Sequence, residues 1–131
     1  MTFFKMYIVA FVIFIAIDAL WLGLIAPKFY KAQIGHLMAE KPNFIAAGIF
    51  YLLFIAGLVF FIKDAVAAND IGKVVLIAAV FGFMTYATYD LTNLATLKDW
   101  PITVTIIDLI WGTFLSSSIS LITVLIYNWI W

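Results

Sequence analysis

Apolar residues occupy four long runs in this chain, separated by short polar interruptions. A helix needs about 20 such residues to cross a hydrocarbon core. The first run spans 6–27 and holds one charge, Asp18. The second, 44–62, holds none; the third, 74–97, holds only Asp90; the fourth, 102–126, holds only Asp108. Apolar character continues beyond the fourth run to Trp131, so this last helix must tilt or emerge at its end. The pattern predicts an all-α membrane protein: a single domain, 1–131, built as a bundle of four transmembrane helices.

The interruptions carry stop and start signals. Pro27 is expected to end the first span, and Pro42-Asn43 to open the second with Asn43 as N-cap. Lys63-Asp64 to Asn69-Asp70 reads as a short polar turn. Lys98 to Pro101 is tighter still and makes the third and fourth spans antiparallel neighbours. In the long first loop, Lys28 to Lys41, Phe29, Ile34, Leu37 and Met38 alternate with Lys31, Gln33, His36 and Glu40. This alternation predicts a short helix lying at the membrane interface. Aromatic residues near the span ends, including Tyr7, Tyr30, Trp100, Tyr127 and Trp131, read as interfacial belts. The N-terminal run lacks a polar leader and a clean cleavage site, so it is read as a retained first span.

Composition sharpens the class. The chain has 131 residues, 67% hydrophobic and 11% charged, with a mean hydropathy of +1.19. A soluble domain this small could not hide so much apolar surface. Seven Lys, no Arg and seven acids give a net charge of zero, with no basic face for nucleic acid. The absence of Cys removes disulfides, thiolate metal sites and cysteine nucleophiles. Lysines divide almost evenly between the two ends of the bundle, which leaves orientation weakly specified; the first-loop side is expected to be cytoplasmic.

The candidate chemistry lies in the three intramembrane acids. An Asp near a helix centre costs about 2.5–3.5 kcal/mol on insertion scales and must be offset by pairing, hydration or protonation. Asp18 and Asp90 lie in the second halves of their spans and Asp108 in the first half of its own. Alternating topology therefore places all three in one half of the bilayer, beneath the first loop and the Lys98–Pro101 turn. Tyr86, Tyr89, Asp90, Asn93 and Thr96 form a polar stripe at helical spacing. Asp18-Trp21 and Asp108-Trp111 repeat one spacing on antiparallel spans, a faint inverted repeat. Grouped carboxyls cannot all ionise cheaply, so at least one is expected to hold its proton at pH 7. Lys28 or Lys31 is expected to neutralise another. Gly112, Ser116 and Ser120 read as a packing seam, the aromatics of the second span as lipid contact and core, and His36 with Glu40 as an exposed pair. No motif for a metal or other cofactor is found.

The strings YATYDLTNLATLKDWP (86–101), APKFYKAQIGHLMAEKPN (26–43) and IDLIWG (107–112) resemble a bacterial family of predicted four-span membrane proteins, domain-of-unknown-function family 2177. The resemblance covers essentially the whole chain. It implies a four-helix protein of the cell inner membrane, carries no catalytic residue over, and tilts the reading toward lipid.

The favoured function is a polar intramembrane pocket for a small or amphiphilic ligand, in a lipid-modifying enzyme or its accessory. Asp18, Asp90 and Asp108 would supply acid–base or cation-binding groups. Asn93, Tyr86 and Tyr89 would orient the ligand, and Trp21 and Trp111 would wall it. A second reading is a proton-coupled cation or drug transporter acting as a homodimer, with Asp18 as carrier. A third is a non-catalytic subunit that docks a larger membrane partner.

Overall fold

A computed structural model describes residues 2–131. Four helical segments, 2–37, 44–67, 71–96 and 102–130, are long and apolar enough to cross a membrane. Within the first lie α1 (Thr2–Leu20), a π-helical turn (Trp21–Ile25), α2 (Ala26–Ile34) and a 3-10 turn (Gly35–Leu37). The others are α3 (Phe44–Ala67), α4 (Ile71–Thr96) and α5 (Ile102–Ile130).

The first span differs from the sequence expectation. Pro27 does not end it: the chain stays helical through Leu37, and the segment predicted as a separate interfacial helix continues the first span. The physical reason lies in the π turn. Proline lacks an N–H and crowds the carbonyl four residues back, so an α-helix cannot pass through it undisturbed. Here Pro27 sits in the first turn of α2, where a missing N–H is tolerated, and the wider turn at Trp21–Ile25 absorbs the mismatch. At 1.5 Å per residue the 36-residue segment is about 54 Å long, well beyond one hydrocarbon thickness.

The remaining boundaries follow local chemistry. The Asn43 side chain accepts from Ala46 N at 3.0 Å and caps α3; Asp70 accepts from Lys73 N at 3.1 Å and caps α4. The turn expected over Lys63–Asp70 shrinks to residues 68–70, because Ala65 and Val66 are buried and keep the helix going past the exposed Lys63–Asp64 pair. Asn69 and Asp99 take positive φ (53° and 62°), the left-handed geometry of each tight reversal.

α4 and α5 form the most extensive helix pair, with α1 packed on α5 and α3, and α3 on α4. Small residues permit the α4–α5 approach. A Cβ added to Gly82 would stand 2.7 Å from Ser116 Cβ, and one on Gly112 2.8 Å from Tyr86 Cβ. Both are inside any ordinary contact, so this is a small-residue seam.

The bundle divides into two halves. Met6, Ala10, Phe14, Leu58, Ile62, Val74, Leu115 and Ile119 fill an apolar core from the end where α1 and α4 start and α3 and α5 finish. The three intramembrane acids lie in the opposite half. Around both, outward residues such as Val12, Leu53, Leu76 and Ile110 are exposed and apolar, as lipid contact requires.

Candidate functional site

Past the apolar core, the helices enclose a cavity of about 740 Å³. Asp18 reaches it from α1, Tyr51 from α3, Tyr86 from α4 and Asp108 from α5. Trp21 and Trp111 share one wall. Their rings stack with centroids 4.3 Å apart and planes 12° from parallel, so the two Asp-x-x-Trp repeats meet across the α1–α5 contact. α2 folds over the site and lowers Tyr30 into it, edge-on to Trp21 at 6.3 Å. The Tyr30 hydroxyl donates a hydrogen bond to Asp108 Oδ1. The rim carries apolar groups that are themselves exposed, Leu22, Met38 and Phe50.

The acids are buried unequally. Asp18 is 7% exposed, Asp108 5% and Asp90 not at all. Asp90 adjoins Asp108 behind the cavity wall, and among the described residues no group other than that carboxyl is placed to bond either Asp90 oxygen. Asp18 stands apart from this pair, beside the Tyr51 hydroxyl, with Tyr86 close to all three acids. The expected convergence thus becomes a pair and a single residue around one cavity. Among the described residues, no three such side chains come close enough to hold a metal ion.

Other candidates are placed differently. Lys28 and Lys31 are exposed, and among the described residues neither pairs with an acid. The expected lysine counter-ion is absent because Tyr30, on the inward face between them, reaches Asp108 instead. His36 is exposed and stands 3.9 Å from Asp99 in the α4–α5 turn, rather than pairing with Glu40. Tyr89 lies on the outer rim, 58% exposed and edge-on to Trp100 at 5.8 Å. Asn93 is half-buried beside Tyr89 and does not line the cavity.

A family model described as "Predicted membrane protein (DUF2177)" matches residues 3–125. The chain belongs to the DUF2177 family. No curated protein and no solved structure matches it. In this DUF2177 chain the matched region contains every residue of the cavity.

Tyr51, Tyr30 and Trp100 of the DUF2177 chain line the cavity and are among the residues that escape the sequence reading. Tyr51 is assigned to lipid contact and core, yet it is the only hydroxyl in the 44–62 run, and that isolation is the available signal. Tyr30 and Trp100 are assigned to interfacial belts. Tyr30 is brought inward by the continued helix. Trp100, 8% exposed, donates from Nε1 to Thr105 Oγ1 at 3.1 Å, and Thr105 donates on to the Asp90 carbonyl at 3.4 Å. The chain Trp100–Thr105–Asp90 ties the turn to the buried pair.

Proposed function

We propose that this DUF2177 protein is an inner-membrane protein whose intramembrane cavity binds an amphiphile, with its polar end among Asp18, Asp108 and the tyrosines and its apolar tail against the rim. The helical architecture supports the inner-membrane reading, since proteins of the bacterial outer membrane are typically closed barrels. The reading rests on one observation: a cavity of about 740 Å³ with buried carboxyls inside and exposed apolar residues at its edge. Ligand sites are typically concavities of about 300–1,000 Å³, mostly apolar, with a few polar groups that set orientation. Asp18 and Asp108 supply the groups that take up or return a proton, which is what a lipid-modifying role, or one accessory to it, would draw on.

Tryptophan fluorescence tests the reading directly. With Trp129→Phe and Trp131→Phe in place, the three remaining indoles, Trp21, Trp100 and Trp111, all line the cavity. A single-chain amphiphile with a brominated tail should quench them saturably in a nanodisc. Ala47→Phe, which fills the rim, should reduce that quenching to the linear response of simple partitioning. Linear quenching with and without Ala47→Phe would overturn the proposal.

The Asp90–Asp108 contact carries a second expectation. Two carboxyls are both acceptors when ionised, so they can bond only if a proton lies between them. Asp90 has no other donor. Infrared spectra at pH 7 should show one protonated carboxyl, lost in Asp90→Asn, whose amide supplies the missing donor. A spectrum with every carboxyl ionised in the unsubstituted protein would rule out the shared proton.

A further inference from the structure

We propose that the polar end of the amphiphile is an organic ammonium group, a primary or quaternary amine on an apolar tail. The inference rests on the binding reading above and adds the chemical class of the head group.

Charge is the first argument. Among the described residues, the only ionisable side chains lining the cavity are two acids and phenols; no Lys or His lines it. Behind Asp108 stands Asp90, wholly buried and without a donor other than that carboxyl. Among the described residues, none of the seven lysines pairs with any of these three acids. The cavity's inner end is therefore acidic with no internal counter-charge. Burying such groups is expensive unless a group of opposite charge comes within reach. A phosphate, sulfate or carboxylate head would place a further negative charge beside Asp18 and Asp108. An ammonium would pair with them.

The lining is the second argument, and it separates an organic cation from a metal ion. Trp21, Trp111, Tyr51 and Tyr86 surround the same space, and aromatic faces attract alkylammonium groups by their quadrupoles. A divalent ion would instead need several oxygens converging on one point, which the separation of Asp18 from the Asp90–Asp108 pair does not provide. The exposed apolar rim of Leu22, Met38 and Phe50 then leads a tail from the acidic end toward the bundle surface.

The test uses the full chain in nanodiscs of uncharged lipid, with the Trp129→Phe and Trp131→Phe background. Three brominated probes share one twelve-carbon tail and differ in head group: trimethylammonium, hydroxyl or sulfate. The trimethylammonium probe should bind at least tenfold more tightly than the hydroxyl probe, and the sulfate probe most weakly. Asp18→Asn and Asp108→Asn should each abolish the preference, bringing the trimethylammonium probe down to the level at which the same variant binds the hydroxyl probe. Asp18→Glu and Asp108→Glu, which keep the charge, should retain the preference; they and the head-group series on the otherwise unsubstituted chain decide the matter if an Asn variant does not fold. Equal binding of the trimethylammonium and hydroxyl probes, or tighter binding of the sulfate probe, would overturn the ammonium assignment while leaving the cavity reading intact. Failure of every probe to saturate overturns both.

Discussion

Replacing Gly82 with Val should abolish the folded protein, or cost more than about 3 kcal/mol where some folds. The added Cβ would meet the Gly112 carbonyl and the Ser116 side chain, closer than real Cβ atoms approach. A backbone carbonyl cannot rotate aside as a long side chain can, so α4 and α5 would have to separate. That pair is the most extensive packing in the bundle, and it also holds Asp90 against Asp108. Gly48→Ala is the matched control, because a Cβ there meets nothing within 4 Å. Unfolding in a denaturing detergent, followed by circular dichroism, distinguishes the two. Equal stability of the Gly82→Val and Gly48→Ala proteins would show that the seam is not what holds the helices together.

The second large effect belongs to Tyr30→Phe. The substitution keeps the ring against Trp21 and Phe29 and removes only the hydroxyl that donates to Asp108. Hydrogen bonds to charged groups are worth about 1.5–3 kcal/mol, and the loss leaves a buried acceptor unsatisfied. Asp90 cannot compensate, since the one proton it shares with Asp108 is already committed to that contact. The loss should also free α2, so amide exchange should rise across Ala26–Ile34 and stay unchanged in the apolar half of the bundle. Combined with Asp108→Asn, Tyr30→Phe should cost much less than it does alone, a non-additivity that reports the direct contact. Strict additivity would mean that Tyr30 steadies the site by packing alone.

The parts legible in the sequence are those governed by the bilayer. Four apolar runs become four helices because no other open structure satisfies its backbone in lipid. The depth of Asp18, Asp90 and Asp108 follows from which half of each run they occupy, and the repeated Asp-x-x-Trp spacing marks Trp21 and Trp111 without foretelling that they stack. What stayed hidden depends on rotation about a helix axis. Pro27 signals a stop, and only tertiary packing reveals a π turn that carries the helix past it. Helical phase beyond that turn decides whether Tyr30 or Lys31 faces inward, and a sequence that predicts a break there carries no phase across it. The inward facing of Tyr51 was hidden for a related reason, since an amphipathic ring suits a lipid-facing position and a cavity wall equally well.

The π turn at Trp21–Ile25 makes the site dependent on residue number as well as residue type. A π turn holds about one residue more than an α turn, and each residue advances an α-helix by about 100°. Wound as regular α-helix, the same residues would swing everything from Ala26 to Leu37 by roughly that angle, carrying Tyr30 off Asp108. A chain one residue shorter before the proline would reach the same lid over the same floor through unbroken α-helix.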